Sequence, residues 1–100
     1  MANTAKTLAR TAAATSNTTL YTVPSSTTTV ITSILVTNTS ASSQTFTLNF
    51  DGVAAFSAAT LAANTTAIFD MKQTLTTTKI ISGSASATSV NFHISGMEIA

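Results

Sequence analysis

The sequence predicts an all-β protein: a single antiparallel β-sandwich, jelly-roll-like, of about eight short strands. Three observations carry this expectation. Apolar residues recur with a period of two almost throughout the chain. Turn-forming residues punctuate it at roughly the 8–12-residue spacing of sandwiches. Threonine and serine, rather than ions, fill the polar positions: only 7% of the 100 residues are charged, against about 25% in an average soluble domain. Threonine is β-branched and favours strands, and its hydroxyl can face water or a partner at far less desolvation cost than an ion.

The elements follow in order. Residues 1–15, rich in Ala and Thr and carrying Lys6 and Arg10, form an N-terminal arm or a first edge strand near 6–13. They lack the apolar stretch of a secretory signal, and being acid-free they mimic a transit peptide only weakly. A flexible or partner-clamping arm is the favoured reading. The sandwich domain spans 16–100. Its first strand, near 19–23, stops at Pro24-Ser25-Ser26. A strand over 28–38 is apolar on both parities, with Val30, Ile34 and Val36 on one and Ile31 and Leu35 on the other. That pattern suits a strand covered on both faces, or a core on one face and a subunit contact on the other.

After the polar loop 38–43, Phe46, Leu48 and Phe50 alternate with Thr45, Thr47 and Asn49 in a half-buried strand over 44–50. Asp51-Gly52 is a two-residue hairpin turn suited to positive φ. Strands near 53–57, 60–69, 75–83 and 88–99 complete the set, with turns at Ala62-Ala63-Asn64 and Gly83-Ser84. The Ala-rich stretch 54–63 has some helical character, but Thr60 and the neighbouring Thr pair oppose it. In the last strand Val90, Phe92 and Ile94 alternate with Asn91, His93 and Ser95. The alternation slips at Gly96, after which Met97 and Ile99 carry the apolar positions, and this predicts a bulge.

The hairpin sets a register. With Asp51-Gly52 as its loop, Phe50 opposes Val53 and Leu48 opposes Ala55, so Phe56 falls on the polar face with Thr47 and Asn49. A Phe there is restored to the core by a bulge, covered by the arm, or buried between subunits. Phe56, with Ile31 and Leu35 from the two-sided strand, is therefore a candidate oligomer contact. Lys6 and Arg10 are candidates for contact between the arm and a neighbouring molecule.

Little chemistry is on offer. The single histidine, His93, sits on the polar parity of its strand with no His, Cys or carboxylate at ligand spacing, and reads as a solvent-facing or interface residue. The acids are Asp51, explained by its turn, and Asp70 and Glu98, which would form a carboxylate pair only if the fold brought them together, so an acid–base pair is not expected. No Gly-x-Ser-x-Gly elbow or phosphate-cradling glycine loop occurs. No catalytic, metal or cofactor site is expected. Tyr21 reads as a core-edge ring with its hydroxyl satisfied, and Asn17, Asn38 and Asn64 as chance glycosylation sequons in a Thr/Ser-rich chain. The net charge of +1 is too small for nucleic-acid binding. No apolar run approaches the ~20 residues of a membrane-spanning helix, and without cysteine the redox compartment cannot be read.

The order of motifs carries a resemblance. Leu20-Tyr21-Thr22-Val23-Pro24 is followed by the Thr-rich stretch 27–36 and Thr37-Asn38-Thr39. Then come Phe46-Thr47-Leu48-Asn49, Asp51-Gly52-Val53-Ala54, Leu61-Ala62-Ala63-Asn64-Thr65, and finally residues 90–99. Beyond about residue 18 this resembles small β-sandwich structural proteins of tailed bacteriophages. The resemblance implies a capsid decoration (cement) protein on the outer capsid surface of the virion, bound to the major capsid protein. It also implies a homo-oligomer, with a trimer favoured by the local three-folds of icosahedral shells. Its alternative is a receptor-binding module of a fibre or tail spike, with a host-surface glycan as partner. It supplies no catalytic residues.

Overall fold

The computed structural model describes residues 3–100. Among them eight strands form and no helix: β1 (Asn3–Ala12), β2 (Thr18–Thr22), β3 (Thr28–Asn38), β4 (Gln44–Phe50), β5 (Val53–Leu61), β6 (Thr66–Leu75), β7 (Ile80–Ala85) and β8 (Val90–Ile99). They build two four-stranded sheets, ordered β1-β8-β3-β6 and β2-β7-β4-β5, with every pairing antiparallel. The pairs β1–β8, β2–β7, β3–β6 and β4–β5 are those of one long hairpin wound into two layers. Its tip is Asp51-Gly52, both at positive φ (55° and 74°), as a two-residue hairpin loop requires. This is a jelly-roll order, within the antiparallel sandwich class that the sequence predicts.

The layers meet over the alternating apolar residues. Ile34, Val36, Phe92 and Ile94 of the first sheet and Phe46, Leu48 and Ile81 of the second are buried in one cluster. Phe46 and Phe92 stand edge to face across the layers, centroids 6.2 Å apart, a geometry that adds to burial through the ring quadrupoles.

The strand limits shift where side chains carry least signal. Residues 53–57 and 60–69 are not two strands divided near 58. One strand, β5, runs through to Leu61, with a kink at Ala58 (φ 47°). The true break lies at residues 62–65, where Asn64 takes φ 53° and the Thr65 hydroxyl donates to the Ala62 carbonyl at 2.6 Å. Likewise β6 continues to Leu75 and β7 begins only at Ile80, after a turn at Thr76–Lys79.

Residues 3–12 are not a free arm. They form an edge strand antiparallel to β8 of the same chain, so the reading of a segment crossing to a neighbour gives way to the first-edge-strand reading. Few of its side chains are buried, Leu8 and Ala9 among them, so backbone pairing holds most of it in place.

The expected bulge is present but lies on other strands. β8 keeps strict alternation through Gly96, and its neighbours absorb the irregularity. Leu8 is the extra residue of β1, and Thr32 that of β3, between Ile31↔Gly96 and Ser33↔Ser95. On β6, Met71 and Lys72 together face Thr32. Two consequences follow for the candidate residues. Met97 and Ile99 turn to the outer face, and Glu98 turns inward. On β3 the insertion of Thr32 swaps parity, so Ile31 points into the core and is fully buried.

Candidate interaction surfaces

The first sheet presents an outer face bearing Val30 and Leu35 from β3, Ile68 from β6, and His93 and Met97 from β8. The register places Leu35 between Ile68 and His93. Ile68 is 66% exposed, although isoleucine is among the residues most often fully buried. The second sheet's outer face is different. Thr47 and Asn49 of β4, half-buried like Thr45 beside them, pair with Ser84 and with the buried Ser82 of β7, and the exposed Thr19 lies beyond on β2. It is a plane of neutral hydroxyls and amides, with Asn49 donating to the Asn17 side-chain carbonyl at 3.3 Å.

The predicted contact residues separate. Ile31 has no surface to offer a partner, because the Thr32 insertion seats it in the core. Leu35 is half-buried on the outer face. Phe56 is returned toward the core by a bulge, one of the three readings its register allowed. Ala55 is the extra residue, so Phe56 rather than Ala55 opposes Leu48. Its ring packs 5.5 Å from Phe46 and 4.6 Å from Phe69, at the rim where β5 and β6 face each other as edge strands. Lys6 and Arg10 point to opposite faces because Leu8 is inserted between them. Lys6 pairs with Glu98, Nζ–O 3.3 Å, whereas Arg10 lies on the outer face opposite His93.

Two polar clusters escaped the sequence reading. The first joins four strands. Tyr21 of β2 donates its hydroxyl hydrogen to Glu98 of β8, and Lys6 of β1 donates to the same carboxylate. Tyrosine has one hydrogen to give, so Thr29 of β3 donates to the Tyr21 oxygen at 2.8 Å. The signal was in the sequence: Glu98 shares the parity of Phe92 and Ile94, which points it inward once no slip is assumed at Gly96. The second is Asn38, fully buried, whose amide donates to the carbonyls of Ser42, Leu61 and Ala62 while its oxygen accepts from the Ser40 N–H. It ties two loops together at one pole of the sandwich.

The first cluster sets a pH dependence. Tyr21, with Lys6, holds the Glu98 carboxyl below its ordinary value, so the folded state binds its proton less readily than the unfolded chain. The resulting stability is present above about pH 4.5 and is lost as pH falls through the lowered value. Burial, and then the bond to Glu98, push Tyr21 up to about 12. Its share is present below about pH 10 and is lost between there and 12. Thermal midpoints measured across pH should fall at both ends. In Glu98→Gln the acid limb should flatten; an acid limb of unchanged steepness would overturn the assignment to Glu98.

The remaining ionic groups are scattered. Lys79 and Asp51 form an exposed pair at 3.7 Å beside the hairpin tip, and among the described residues no three His, Cys, Asp or Glu side chains converge as a metal site. A shallow open depression of about 440 Å³ lies on the β6 edge, lined by Thr32, Asp70, Met71 and Lys72. No family model matches this chain, and no curated protein or solved structure matches it.

Proposed function

We propose that this protein is a non-catalytic structural component of a virion, a decoration protein that binds the outer capsid surface, contacts the major capsid protein and stabilises the shell. The observation that carries this reading is the hydroxyl-and-amide outer face of β2, β7 and β4. Such a face packs against protein with neutral hydrogen bonds and without stripping water from ions. The exposed apolar side chains Val53 and Ile68 supply area that a partner can cover. The motif order resembling phage structural proteins and the jelly-roll architecture, which capsid and lectin domains share, point the same way by analogy.

The mechanism is added buried area that bridges shell subunits, each contact contributing roughly 25 cal/mol per Å² of apolar surface before the cost of association. The fibre or spike reading, with a host-surface glycan, has the Asn17–Asn49 amide pair in its favour. Against it, none of the six aromatic rings is exposed, so no flat ring is offered for sugar stacking. Cryo-electron microscopy of purified particles, with the chain quantified by mass spectrometry, tests the proposal. The expected result is density on the outer shell in fixed ratio to the shell subunit. A few copies confined to a fibre tip would establish the alternative, and particles lacking the chain would overturn both.

A further inference from the structure

Each sheet of this sandwich has two open edges, and three of the four edge strands are guarded against pairing with another chain. β1 carries Lys6 and Arg10, and like charge on an edge repels a second copy. β2 has only five residues. β5 is broken by two register shifts and by Ala58 at φ 47°, which interrupts the ladder a partner strand would need. β6 is the least guarded of the four. It is ten residues long, and its side chains alternate between the outer face, at Thr66, Ile68, Asp70 and Lys72, and the core side, at Ala67, Phe69 and Met71. Its one register shift, where Met71 and Lys72 together face Thr32 of β3, leaves this alternation intact.

The charges on β6 are also the ones the protomer leaves over. Lys6 is paired with Glu98 and Lys79 with Asp51. Asp70 and Lys72 make no ion pair among the described residues. They stand two apart on one face of the open strand, beside the depression they line with Thr32 and Met71.

Symmetry turns this spacing into a register. If two β6 strands pair antiparallel about a two-fold axis with their core sides on the same side of the joined sheet, residues of equal parity must oppose each other. Near the centre three registers satisfy this. Centring on Asp70 sets two carboxylates face to face, and centring on Lys72 does the same with two ammonium groups, both unfavourable. Centring on Met71 sets Asp70 opposite Lys72 twice over. The same register opposes Ile68 to Thr74 and Phe69 to Gln73.

We infer that this chain forms a two-fold dimer by antiparallel pairing of β6 with β6 of a second copy, centred on Met71, joining the first sheets into one of eight strands. The occupant of the edge is a second copy because the strand is complementary to itself in charge at a single allowed register. The inference is independent of the virion proposal, and it sets a two-fold contact in place of the trimer expected from the sequence.

The test is a charge exchange read by sedimentation equilibrium of the intact protein at micromolar concentration. The parent is expected at twice the 10.2 kDa chain mass. D70K and K72D each place like charges opposite one another and should weaken the dimer at least tenfold. D70K/K72D restores opposite charges and should restore it. Circular dichroism of each variant separates loss of pairing from loss of fold. Since the chain has no cysteine, M71C provides a second readout. Opposed residues lie about 4.5–5.5 Å apart between Cα atoms, within disulfide reach, so copper-phenanthroline oxidation should cross-link M71C to itself and leave I68C, which faces Thr74, largely uncrosslinked. A monomeric parent, a trimer unaffected by D70K, or a double variant no better than the singles would each overturn the inference. None of these results bears on whether the protein is found on a virion.

Discussion

Phe92→Ala lowers the thermal midpoint by roughly 15–30 °C, the shift that about 3–5 kcal/mol produces in a domain of this size. Phe92 is the largest fully buried side chain. It lies on β8, an interior strand flanked by β1 and β3, and its ring meets Phe46 of the opposite layer. Removing it opens a cavity that the surrounding strands cannot close, because their separation is fixed by backbone ladders on both sides. A loss of that size takes a large part of the ~5–15 kcal/mol that holds a domain together. Phe56→Ala should cost far less. Phe56 is half-buried at the rim, and part of its surface is already in water. Urea denaturation of both variants measures the difference. If Phe56→Ala proved as damaging as Phe92→Ala, the aromatic cluster would be centred at the β5–β6 rim and not between the sheets.

The fold was legible because its signal is repeated. Phe46, Leu48 and Phe50, and again Val90, Phe92 and Ile94, state the strand period without interruption, and Asp51-Gly52 states the turn by its φ requirements. The strand limits between residues 54 and 75 were less legible, since Ala has almost no facial preference and a run of it carries no parity. Bulges were the deeper obstacle. A bulge is a property of a pair of strands, and the residue that marks it can lie on the partner. Gly96 announced an irregularity correctly, but the extra residues sit on β1 and β3. That displacement reversed the face of Ile31 and concealed the inward turn of Glu98, and with it the link to Tyr21 and Lys6. The contact surface was the least legible part. Self-complementarity of β6 depends on which strands end at sheet edges, and edge positions follow from the winding of the whole hairpin. Nothing in Asp70-Met71-Lys72 read alone separates an edge strand from a central one.

Gly96→Ala should cost about 3 kcal/mol, the upper end of what an added methyl costs in a packed interior. The reason is steric and lies in the backbone. A Cβ at Gly96 would overlap the Val30 carbonyl and would stand 2.9 Å from the Leu8 Cδ1. Leu8 can rotate away, but the carbonyl belongs to β3 next to the Thr32 insertion, where Ile31 faces Gly96. Moving it strains the ladder that joins the two central strands of the first sheet. Gly52→Ala is the contrasting case. Its φ of 74° strains any side chain, but nothing lies within 4 Å of the added carbon, so the cost is only the roughly 1–2 kcal/mol of a left-handed residue. Hydrogen exchange separates the two, because Gly96→Ala should loosen amides along β3 and β8 whereas Gly52→Ala leaves them protected. The double variant Gly96→Ala with Leu8→Ala decides which neighbour matters. With the carbonyl as the obstacle, shortening Leu8 recovers nothing and adds its own loss of burial. Recovery of stability in the double variant would instead show that β3 can yield and that Leu8 sets the limit.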